Sequence, residues 1–116
     1  MEITSVKQDA VSVLKLKGRL DVLTSNDLSD YLMAEIERGA AFLVVDFTDV
    51  DYVSSSGLRV LLQARKKLKT MGGTVFLSGV KDFVKEVLVA VGFDTIFPLT
   101  SSSDDAVARI AEGRMQ

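Results

Sequence analysis

The sequence predicts a single α/β domain with a mixed, mostly parallel sheet of about five strands backed by about four helices. Three observations carry that prediction. Segments with strand patterning alternate with segments at helical spacing along the whole chain. Phe42-Leu43-Val44-Val45-Asp46-Phe47 is a nearly continuous apolar run, the pattern of a central strand covered on both faces. The 116 residues suffice for one core and not for two, and no linker, repeat or low-complexity stretch divides them.

Taken in order, a short strand is expected at about residues 2–7, with Gln8-Asp9 as the turn into a second strand. Val11, Val13, Leu14 and Leu16 sit among Ser12, Lys15 and Lys17 there, and Gly18 is expected to end it. The first helix is expected to start at Thr24, with Asp27 three residues on, near a capping-box spacing. Leu28, Tyr31, Leu32 and Ile36 form its apolar face and Gly39 stops it. After the strand 42–47 and an acidic loop, a second helix runs from Ser55 to about Lys69. Leu58, Leu61, Leu62, Arg65 and Leu68 lie along one side with Arg65 at its margin, and Lys66, Lys67 and Lys69 sit where the helix dipole favours cations. Gly72-Gly73 precedes a strand at 74–77. Phe83, Val84, Val87, Leu88 and Val91 mark a third amphipathic helix closed by Gly92. Thr95-Ile96-Phe97 is expected as a last short strand stopped by Pro98. Ser103 is expected to cap a final helix with Ala106, Val107 and Ile110 turned inward.

Composition narrows the function. Net charge is −2 and the pI about 5.1, so there is no basic footprint for nucleic acid. The apolar runs fall far short of the roughly 18 residues of a membrane span, and the N-terminus lacks a secretory pattern. A cytoplasmic location is therefore expected. The chain has no Cys and no His. That removes disulfides, thiolate chemistry, the usual zinc ligands and the usual general base, so no enzyme, cofactor or metal is expected. Asp46, Asp49 and Asp51 do not make an EF-hand loop, because Val53 and Ser54 stand where an oxygen ligand and a glycine are required.

The informative stretch is 46–58, a buried strand followed by acidic residues, then Ser54-Ser55-Ser56-Gly57 opening a helix. Sites in open α/β sheets lie where strand gives way to helix. Serines there cap the helix, and that alone accounts for their presence. A hydroxyl at the same place also stands beside free N–H groups and the positive end of the dipole, which favours a phosphate. Gly57 is expected to leave room for another backbone to approach.

The chain resembles the STAS domain, the fold shared by anti-sigma-factor antagonists and the cytoplasmic tails of sulphate transporters. The resemblance spans residues 2–107. It rests on Asp46, Val50 and Tyr52-Val53-Ser54-Ser55-Ser56-Gly57-Leu58 followed by Val60-Leu61, on Gly18-Arg19-Leu20-Asp21, on Gly72-Gly73 and on Val91-Gly92-Phe93. The order and spacing of these pieces make the match specific. It implies an anti-sigma-factor antagonist that frees a sigma factor by binding the anti-sigma factor, itself a serine kinase that phosphorylates and so releases its antagonist. It also implies a serine phosphatase in the pathway. Carried over, the acceptor is Ser55, with Ser56 second, and Asp21, Ser54, Gly57, Leu58 and Arg59 belong to the partner-binding surface. Ser54 stands where the family usually has aspartate, Arg19 where it usually has glutamate, and Arg59 where many members have glycine. Ser54 thus also admits a phosphorylation-independent scaffold subunit of a signalling or lipid-transport complex. Arg59, four residues after Ser55, is either an ordinary exposed helix residue or within reach of a phosphate there.

Overall fold

A computed structural model describes residues 1–8 and 11–113. Five strands, β1 (Glu2–Gln8), β2 (Val11–Leu20), β3 (Phe42–Val53), β4 (Thr74–Ser78) and β5 (Leu99–Thr100), form one sheet in the order β1-β2-β3-β4-β5. The β1–β2 pair is antiparallel and the other three pairs are parallel. Four α-helices complete the domain: α1 (Val22–Glu37), α2 (Ser55–Lys69), α3 (Asp82–Ala90) and α4 (Ser103–Ala111). The predicted single α/β domain is the one observed. Of the expected Gln8-Asp9 turn, Gln8 belongs to β1 and Asp9 lies outside the described residues.

Strand side chains alternate between two unequal cores. Leu43, Val45 and Phe47 of β3, with Leu14, Leu16, Val75 and Leu77, pack against α1, α2 and α3. The intervening Val44, with Val11, Val13 and Phe76, packs against Ala106 and Val107 of α4. Right-handed crossovers between consecutive parallel strands put α1–α3 on one face, leaving the other to α4.

Several boundaries differ from the sequence expectation, for physical reasons. β2 does not stop at Gly18 but continues to Leu20, and β3 continues through the supposed loop to Val53. The pairing skips a residue of β3 twice, between Lys15↔Asp46 and Lys17↔Asp49 and again between Gly18↔Val50 and Arg19↔Tyr52. These bulges space the buried residues three apart, at Phe47, Val50 and Val53, which erases the strand alternation. Gly18, at φ 117°, takes the backbone conformation that the irregular ladder demands. Asp46 holds the first bulge: its Oδ1 accepts from Thr48 N at 2.9 Å and Thr48 Oγ1 at 2.6 Å, while its Oδ2 accepts from Ser103 Oγ at 3.2 Å.

Other corrections follow the same logic. α1 starts at Val22, two residues earlier than expected, and is capped by Asp21 rather than Thr24. Residues 93–95 form a 3-10 turn rather than a strand, and β5 follows Pro98 instead of ending at it. Ser102, not Ser103, caps α4. On α3 only Val84 and Leu88 are buried, while Phe83, Val87 and Val91 face solvent in one stripe. Tyr31 is likewise exposed.

Candidate functional site

The last residues of β2 and β3 set the geometry of the site. Leu20 pairs with Val53, and Ser54 N donates to Leu20 O at 2.8 Å. Both strands end together, and α1 and α2 start side by side at the carboxyl edge of the sheet. Gly57 permits this approach: a Cβ there would lie 2.6 Å from Leu20 Cγ. The room the sequence reading gave to another backbone is taken by Leu20 of the same chain, whose side chain is nearest and whose carbonyl oxygen lies 3.5 Å from that Cβ position.

The two helix starts are built differently. Asp21 Oδ1 accepts from Thr24 N at 3.0 Å, and Thr24 Oγ1 accepts from Asp21 N at 2.9 Å, a reciprocal capping box. The Thr24 amide bond holds the Asp21 carboxyl below its ordinary range against the cost of desolvation. The Thr24 hydroxyl and the Arg19 charge act in the same direction as that bond. α2 is capped by a neutral side chain, Ser54 Oγ accepting from Gly57 N at 3.2 Å, and its first turn has no acidic residue. α3 has Asp82 and α4 has Asp104 and Asp105 in their first turns. α2 is therefore the one helix of the four whose positive end meets no carboxylate of its own cap or first turn.

Ser55 is the first residue of α2 and is exposed, and its hydroxyl makes no hydrogen bond among the described residues. Ser54 and Ser56 are half-buried. At this helix start the Ser55 and Ser56 N–H groups have no intrahelical acceptor. Leu58 and Val53 are each only 8% exposed and belong to the core. Tyr52 remains exposed beneath Arg19, whose guanidinium carbon lies 4.1 Å from the ring centroid. Arg59 is exposed and has no ion pair or hydrogen bond among the described residues.

Two residues the sequence reading passed over stand at the same rim. Val22 and Leu23, in the first turn of α1, are 66% and 82% exposed. Recognising Asp21 as the cap would have exposed them, because it moves both from a loop into the outer face of a helix. Among the described residues no group of three or more acidic side chains clusters as metal ligands would. No helix is long and apolar enough to cross a membrane, again among the described residues.

The STAS domain sequence pattern matches residues 2–106. BtrV of Bordetella bronchiseptica, provisionally named an anti-sigma factor antagonist, is 34% identical over 93% of this chain and 93% of its own. The anti-sigma-F factor antagonist RsfB of Mycobacterium tuberculosis is 25% identical over 97% of this chain and 92% of its own. A crystal structure of an anti-sigma factor antagonist from Mycobacterium paratuberculosis superposes with a TM-score of 0.87 at 25% identity, covering 95% of this chain and 93% of that one.

Proposed function

The chain belongs to the STAS domain family, and from that premise we propose that it is an anti-sigma-factor antagonist switched off by phosphorylation of Ser55. Its partner is an anti-sigma factor with serine kinase activity, bound over the paired starts of α1 and α2, and a serine phosphatase restores the binding form. The protein works in the cytoplasm as a binding module and kinase substrate rather than as an enzyme. The names borne by its relatives support the role. The observation that carries the switch is the start of α2, where an exposed, unbonded Ser55 hydroxyl stands at a helix terminus that lacks a carboxylate.

A phosphate on Ser55 adds about −1.5 to −2 charges and three acceptor oxygens. The free N–H groups and the positive dipole end receive it within the protein. Arg59, one turn along the helix, is an unpaired cation available to it. The same charge placed at the centre of a partner interface is repelled and desolvated, which releases the partner. Val22 and Leu23 supply exposed apolar contact beside the switch, and Leu58 and Gly57 support it from below.

The test is a phosphorylation assay against each serine-kinase-type anti-sigma factor of the source genome, with Ser55→Ala and Ser56→Ala in parallel. Phosphate on the wild type and on Ser56→Ala, and none on Ser55→Ala, is the expected result. Phosphate on Ser55→Ala would move the switch to another residue. Stable binding without any phosphate transfer would replace the switch with a constitutive scaffold.

A further inference from the structure

The far end of α2 borders a cleft that the partner surface does not use. β5 has only two residues and pairs with β4 from Leu77 onward, so the first half of β4 has no strand on that flank. The chain passes it instead as a 3-10 turn followed by Ile96-Phe97-Pro98. The gap that remains is a cavity of about 440 Å³ whose lining includes Arg65, Lys69, Thr74, Asp94, Phe97 and Pro98.

Arg65 is half-buried, and its Nε donates to Ile96 O at 3.0 Å. That bond fixes the guanidinium at the cleft wall and uses one of its five donors. Among the described residues its terminal nitrogens meet no carboxylate within ion-pair distance, and neither does Lys69, four residues on along the same side of α2. Asp94 lines the same cavity without pairing with either cation. Three other arginines are spent differently, Arg38 pairing with Glu35 at 2.8 Å, Arg109 with Asp105 at 3.3 Å and Arg19 lying over Tyr52, while the unpaired Arg59 is exposed rather than half-buried. A partly desolvated guanidinium that is oriented by one bond yet left without an anion is set for bidentate capture of one.

We propose that this cleft binds a small ligand through a single carboxylate or phosphate group, held by Arg65 with Lys69 adding charge. Asp94 disfavours a polyanion, and the half-buried Ile96 and Pro98 give the rest of the ligand an apolar wall. The site is about 15–20 Å along α2 from Ser55 at 1.5 Å rise per residue, so it stays open when the partner covers the other end.

The experiment is an amide and arginine-Nε NMR titration of the full chain with inorganic phosphate and, separately, with acetate, at constant ionic strength against sodium chloride. The expected result is saturable shifts confined to residues 72–74 and 94–97 and the Arg65 Nε–H signal. Lys69→Met should weaken binding about tenfold, the worth of one charge-assisted bond. Lys67→Met should leave it unchanged. Arg65→Met should abolish it, and Lys69→Met, which breaks no observed bond, guards against misreading a folding defect. Saturation by phosphate alone or acetate alone identifies the anion class, and saturation by both identifies a general anion fork. Shifts that fail to saturate, that chloride reproduces, or that Lys67→Met reduces as much as Lys69→Met overturn the proposal.

Discussion

The starts of α1 and α2 are neighbours, joined by the Leu20–Val53 pairing and by Ser54 N on Leu20 O, yet they treat the same electrostatic problem in opposite ways. Each exposes free N–H groups and the positive end of a helix dipole. α1 settles this with a carboxylate of its own, Asp21, tied into a reciprocal box with Thr24. α2 settles it with a neutral serine and keeps a second serine exposed beside the unfilled donors. The first arrangement is closed and the second is open to added charge. A modification at α2 therefore finds a receptive backbone, where the same modification at α1 would meet Asp21 at close range.

The largest expected effect breaks that asymmetry by filling α2. Ser55→Asp, or stoichiometric phosphorylation, should weaken anti-sigma binding by about 2–4 kcal/mol, roughly thirtyfold to nearly a thousandfold. Isothermal titration against the proposed anti-sigma partner reads this directly, with Ser55→Ala expected near wild type. Gly57→Ala tests the closeness of the two starts. Its methyl would collide with Leu20, so urea denaturation should show a loss of about 1–3 kcal/mol. An unchanged midpoint would mean that Leu20 repacks freely and the spacing is not fixed. Leu23→Ala asks whether the rim of α1 belongs to the interface. Affinity should fall by about 1 kcal/mol or more with no change in the unfolding midpoint, because the side chain is 82% exposed.

The caps themselves come next. Ser54→Ala should cost about 1 kcal/mol of stability, whereas Ser54→Asp should retain the cap and gain a few tenths from the dipole. Ser54→Asp would also make α2 resemble α1, and the phosphorylation rate of that variant shows whether a neutral cap matters to the kinase.

The smallest effect belongs to the acid limb. Glu35 of α1 is buried, and burial alone would raise its carboxyl, but hydrogen bonds from Ser5 and Arg38 and the Arg38 charge outweigh this and leave it below its ordinary value. Ser5 Oγ donates to Glu35 Oε1 at 2.8 Å, tying the edge strand to α1. A lowered folded-state value means the unfolded chain binds the proton more tightly. The contribution is therefore complete above the ordinary glutamate value and is lost as pH falls through the lowered one. Stability of Glu35→Gln measured across that acid window should fall less steeply than wild type, and identical slopes would remove Glu35 from the account.

Legibility in the sequence differed sharply between the two starts. Ser54-Ser55-Ser56-Gly57 follows an apolar run and opens a run at helical spacing, so α2 began where its residues indicated. At α1 the exposed Val22 and Leu23 resembled loop or strand residues, and Thr24 looked the better cap because its role as third helical residue needs Asp21 to be placed first. The end of β3 was hidden for a related reason. Its two bulges give the buried set Phe47, Val50 and Val53 a spacing of three, which matches neither strand nor helix periodicity. α3 was over-read: five apolar residues at helical spacing implied a wide buried face, but only Val84 and Leu88 reach the core.

The sequence by itself determined the α/β class, the number and order of the helices, and the segment that carries the serines. These depend on local periodicity and on turn and cap chemistry, which neighbours along the chain express directly. Tertiary structure alone decided the rest: the pairing that brings two helix starts together, the use of Asp46 as a bulge clamp, the Leu20 contact that requires Gly57, and the cleft beside Arg65. Each arises between residues distant in sequence, where register and close packing, and not local preference, choose the neighbour.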